Sequence, residues 1–86
     1  MDFLDITPEY IKALFSRHAP FVEVKDIDFG DDEVIYVTIE TLSLDGEIGK
    51  EHRKRLEQGY DAIARELNAE WDYHHADLKQ IKFNLR

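Results

Sequence analysis

Glu23, Asp26, Asp28, Asp31, Asp32 and Glu33 place six carboxylates within eleven residues. Two kinds of chemistry use such a run. A hard cation needs several oxygens converging on one point, whereas a basic protein partner needs carboxylates spread along a surface. The spacing D-x-D-x-x-D-D-E from Asp26 to Glu33 lacks the glycine at the sixth position and the glutamate at the twelfth that an EF-hand loop requires. Extended chain also sends alternate side chains to opposite faces. The run therefore predicts a docking surface for a basic partner, Asp26, Asp28, Asp31, Asp32 and Glu33 acting with the nearby Tyr36. In its sharpest form the carboxylates stand in for phosphates and meet the Lys and Arg of a nucleic-acid-binding protein. The competing reading is a solvated acidic turn.

A second cluster is basic: Lys50, Arg53, Lys54 and Arg55, interrupted by Glu51 and His52. It falls near the start of a helical pattern, where the helix dipole disfavours positive charge by roughly 0.3–1 kcal/mol per residue. Glu51 can offset part of this by pairing with Arg55 four residues on. Such a cluster can grip phosphate or an acidic protein, though it is also common on solvated helices. Asp72-Tyr73-His74-His75-Ala76-Asp77 offers nitrogen and oxygen donors, but adjacent histidines diverge and only His52 remains as a distant third ligand, so no metal site or cofactor is expected. No nucleophile motif, phosphate loop or catalytic carboxylate pair is present, and Thr7, Ser16 and Ser43 lack the contexts of activated hydroxyls. The chain reads as non-catalytic.

Gly46-Glu47-Ile48-Gly49 has the glycine spacing of the G-x-x-G loop in KH domains. The order helix, hairpin, helical segment and final strand resembles the type II KH arrangement of BolA-like proteins. His52-Arg53, Tyr60 and His75-Ala76 are similar to that family's landmarks. The resemblance implies a nucleic-acid-binding or adaptor domain that uses the Gly46–Gly49 loop and the basic residues Lys50, Arg53, Lys54 and Arg55. It also implies His75 as the histidine that meets a metal-cluster partner. The residues just before Gly46 read as strand and link, whereas the KH loop joins two helices.

These groups need a scaffold, and one stretch organises it. Between Asp45 and Tyr73, Leu56, Tyr60, Ile63, Leu67 and Trp71 recur at helical spacing, with Arg53, Glu57, Asp61, Glu66 and Glu70 opposite. This predicts a long amphipathic helix, its end marked by Asn68 and the Trp71–His75 region, with Asp45 or Ser43 as its cap. Upstream, Thr7 and Pro8 open a first helix, with Glu9 at its positive end and Ile6 and Ile11 as a hydrophobic staple. Pro20 stops it near His18, whose charge suits a helix C-terminus. Between Phe21 and Phe29, Val22 and Val24 have one parity and Ile27 and Phe29 the other, which predicts a bulge near Lys25-Asp26 or a strand covered on both faces. Gly30-Asp31-Asp32 turns the chain into Glu33–Thr41, a strand with Ile35, Val37 and Ile39 inward. A last strand spans Leu78–Arg86.

The expected fold is thus α+β: a two-layer α/β sandwich in the order α-β-β-α-β, its three-stranded sheet containing an antiparallel hairpin and covered on one face by two helices. Tyr36, Thr38, Glu40, Lys82, Asn84 and Arg86 would lie on the open face. Eighty-six residues fit one domain, which buries roughly 60–65% of its unfolded surface. The chain is 43% apolar, which argues against disorder. No cysteine is present, which removes disulfides and thiolate chemistry. Acids at Asp2 and Asp5 replace the positive start of a signal peptide, and no apolar run nears the ~20 residues of a membrane span. A cytoplasmic protein is expected. Its formal charge of −8 favours basic partners over nucleic acid or anionic membrane. Self-association through a sheet edge or a spare helix surface is a further expectation.

Overall fold

The computed structural model describes residues 3–41, 45–74 and 78–86. After a short 3-10 turn at Phe3–Asp5, the elements are α1 (Pro8–His18), β1 (Glu23–Phe29), β2 (Val34–Glu40), α2 (Gly46–Leu67), β3 (Ala69–Tyr73) and β4 (Gln80–Leu85). The four strands form one antiparallel sheet in the order β1-β2-β4-β3. The α+β class is as expected, but the sheet has four strands and the order is α-β-β-α-β-β.

The additional strand comes from the tail of the expected long helix. Asn68 takes the left-handed conformation (φ 54°, ψ 54°), and its N–H closes back on the carbonyls of Ala64 and Arg65. Asparagine adopts this conformation more readily than most residues, so the helix stops there. In Ala69-Glu70-Trp71-Asp72-Tyr73 the small and aromatic residues alternate with acids, and the chain continues as a strand. Trp71 lies four residues after Leu67, so it also fits the helical stripe. It packs on the core from β3 instead.

The remaining elements follow local rules. Thr7 caps α1, its Oγ1 accepting the Tyr10 N–H at 3.1 Å, and the staple residues Ile6 and Ile11 are buried. The β1–β2 register slips between Val24 and Asp26. This bulge at Lys25 lets Val24, Ile27 and Phe29 all turn to the core side despite their mixed parity. Asp45 takes the N-cap position of α2 without a side-chain cap bond, while Ser43 lies outside the described residues.

The core fills the space between the helices and one face of the sheet. Ile35, Val37, Ile81 and Phe83 rise from the central strands to meet Ile11, Leu14 and Phe15 of α1 and Leu56, Tyr60, Ile63 and Leu67 of α2. Gly59 lets the layers close. A Cβ built on it would lie 2.7 Å from the His18 carbonyl oxygen, so only glycine allows α2 this near the end of α1. Two carboxylates on α2 also hold β3 by its aromatic residues. Trp71 Nε1–H donates to Asp61 at 2.5 Å, and the Tyr73 hydroxyl donates to Glu57 at 2.7 Å.

Candidate partner-binding surface

The helices cover one sheet face and leave the other open, and strand parity decides what the open face carries. Cross-strand register gives three rows. Asp26 lies beside Thr38, Thr38 beside Gln80, and the His74 backbone N–H meets the Gln80 carbonyl. Next come Asp28, Tyr36, Lys82 and Asp72 in succession. Val34, Asn84 and Glu70 form the third row. Beyond the first row, Glu23 faces Glu40 across the hairpin. Such like-charge opposition is destabilising. The Lys25 bulge answers it, with Nζ 3.2 Å from Glu23 and 3.0 Å from Glu40. Hydrogen bonds to Glu40 and then Glu23 raise the Lys25 pKa.

The hairpin tip extends the acidic surface. Asp31, Asp32 and Glu33 are exposed, and Asp32 and Glu33 both sit at φ 60°, a left-handed pair without glycine. Open face and tip together hold nine carboxylates: Glu23, Asp26, Asp28, Asp31, Asp32, Glu33, Glu40, Glu70 and Asp72. They hold three cations: Lys25, Lys82 and Arg86. Lys25 is taken by Glu23 and Glu40, and Arg86 by Glu70 at 2.9 Å. Asp26, Asp28, Asp31, Asp32 and Glu33 have no ion-pair partner among the described residues.

Tyr36 stands in the middle of this surface. Its ring lies over Gly30, where an added Cβ would approach its Cε2 to 2.8 Å, and its centre is 4.7 Å from that of the His74 ring. The structure thus brings Asp26, Asp28 and Tyr36 onto one face and places Asp31, Asp32 and Glu33 at its end. Sequence reasoning missed Glu70, Asp72 and His74, because their segment matched the helical stripe. The alternation in Ala69–Tyr73 was the available signal.

The basic cluster has a different setting. Lys50, Lys54 and Arg55 are exposed on α2. Arg53 is committed, with Nε 3.1 Å from Glu57 and its guanidinium 5.6 Å from the centre of the Tyr73 ring. The bond to Glu57 raises the Arg53 pKa. Gly46–Gly49 forms the first turn of α2 and not a loop between two helices, and Gly49 is buried. The KH-like glycine loop is therefore not formed, and a second strand follows α2 where the resemblance expects one final strand. His75 lies outside the described residues.

Two tyrosines are shifted by burial. Tyr73 is pushed up to about 12, first by burial and then by its bond to Glu57. Tyr60 is also pushed well up by burial. Its hydroxyl has no hydrogen-bond partner among the described residues. His18 Nε2 contacts Glu66, which Arg17 also reaches at 3.1 Å, so the α1 C-terminus is pinned to α2. His52 Nε2 lies 2.6 Å from the Thr41 hydroxyl. Among the described residues, no group of three or more His, Asp or Glu could hold a metal ion. None of their helices is long and apolar enough to cross a membrane. Compared with family models, curated proteins and solved structures, the chain matches none.

Proposed function

We propose that this is a non-catalytic interaction module, a small acidic regulator or inhibitor that docks a basic partner protein on its open sheet face and hairpin tip. The observation that supports this reading is the segregation of charge. Nine carboxylates and three cations share the open face and tip. The helices and their leading turns carry eight acids (Asp5, Glu9, Asp45, Glu47, Glu51, Glu57, Asp61 and Glu66) and seven bases (Lys12, Arg17, Lys50, Arg53, Lys54, Arg55 and Arg65). A surface acidic only for solubility has no need to gather its excess on the one layer no helix covers. Carboxylates spread along a hairpin suit the Lys and Arg residues of a nucleic-acid-binding protein, and attraction at this range speeds encounter as well as binding.

The full chain, immobilised and exposed to lysate of its native host at low and high salt, tests the reading. Basic nucleic-acid-binding proteins should be retained at low salt and released as salt rises, because screening acts over ~8 Å at physiological ionic strength. The triple variant Asp28→Lys, Asp31→Lys, Asp32→Lys should retain none of them. Salt-resistant capture, or equal capture by the triple variant, would overturn the proposal. Binding of single-stranded RNA or DNA by the wild type, lost when Lys50 and Lys54 are replaced, would favour the basic start of α2 instead.

A further inference from the structure

We infer that the open face selects arginine over lysine in its partner, with a guanidinium seated on the Tyr36 ring beside Asp28. The inference rests on the acidic-face reading and names the chemistry that the face recognises.

Tyr36 lies half-buried on a central strand of the uncovered face. Its placement suits a ligand. Gly30 removes the side chain that would stand where the ring lies. His74 approaches from the direction of β3, its ring centre 4.7 Å from that of Tyr36. Asp28 is the direct cross-strand neighbour of Tyr36, which puts the two Cβ atoms roughly 5 Å apart. An aromatic face flanked by an exposed, unpaired carboxylate matches guanidinium on two counts. The planar cation stacks on the ring, and its fork of N–H donors meets both carboxylate oxygens. An ammonium satisfies the charge but neither the plane nor the fork.

Lys82 is the opposing group, since it neighbours Tyr36 on the other side. Asp72 lies directly across from it on β3, but among the described residues the two form no ion pair. Removing that cation should strengthen binding of either basic side chain.

Two fluorescent peptides of equal length and charge, one with arginines and one with lysines at the same positions, provide the test against the full-length chain at low salt. The arginine peptide should bind about two- to five-fold more tightly, the range expected of an exposed cation–π contact. Tyr36→Leu should erase the preference while leaving lysine binding nearly unchanged, and Tyr36→Phe should retain it. Lys82→Gln should tighten both peptides. If both peptides bind equally and Tyr36→Leu changes neither, the arginine seat is wrong while the acidic face stands. If neither peptide binds, the acidic-face reading itself fails.

Discussion

The two layers of this molecule use charge in opposite ways. On the helical layer acids and bases nearly balance, and ion pairs join Arg17 and His18 of α1 to Glu66 and Arg53 to Glu57. On the open sheet face and its tip acids outnumber bases three to one, and the five acids from Asp26 to Glu33 lack ionic partners among the described residues. Charge in the first region ties elements together. On the function proposed above, the unpaired acids of the second are left for a partner. Adjacent residues of one strand can therefore have unrelated roles, because strand parity sends Phe83 into the core and Lys82 to the open face.

That contrast gives the largest expected effect. Phe83→Ala should cost about 3–5 kcal/mol of unfolding free energy, the usual cost of emptying an aromatic core site. Lys82→Ala, one residue away, should stay within about 0.5 kcal/mol. Chemical denaturation of both variants measures this, and comparable losses would break the division between the two faces. Gly59→Ala comes next. In an ordinary helix position the change would stabilise by about 1 kcal/mol. Here the new methyl meets the His18 carbonyl, and a loss of about 1–3 kcal/mol is expected from overpacking.

A smaller effect concerns pH. Tyr60 and Tyr73 have pKa values raised by burial. The stability this reflects is complete below the unfolded tyrosine value of about 10 and is lost as pH climbs toward about 12, the folded value of Tyr73. Denaturation midpoints should therefore fall above pH 10, and Tyr73→Phe should make that fall shallower. The smallest effect is at the tip. Glu33→Gly relieves a left-handed residue and should leave stability unchanged or raise it by under about 1 kcal/mol. The same change should weaken binding of a basic partner, so a position that gains stability on substitution while losing binding would sharpen the comparison.

Much of the scaffold was legible in the sequence because its signals were local. Thr7 and Pro8 marked α1, the parity change across Lys25 marked the bulge, and the β-branched run Val34–Ile39 marked β2 with its faces assigned. β3 was not legible because Leu67 and Trp71 satisfy the helical period, while the residue that ends α2, Asn68, acts through its backbone conformation. That single ambiguity hid the β3 part of the candidate surface. The hairpin acids were visible as a run, but Glu70, Asp72 and His74 reach the open face only once Ala69–Tyr73 is a strand. The pairing of Tyr36 with His74 joins residues far apart in sequence, and no local pattern announces it.

The central claim is that placement, and not total charge, makes the open face a docking surface. It is tested most directly by two variants with the same net charge, binding one basic peptide. Asp26→Lys with Asp28→Lys reverses two acids on the sheet, and Glu47→Lys with Glu51→Lys reverses two on the long helix. The account predicts that the sheet variant loses binding and that the helix variant keeps most of it at every salt concentration. Equal losses in both would show that the chain binds by its overall charge alone and would contradict the account.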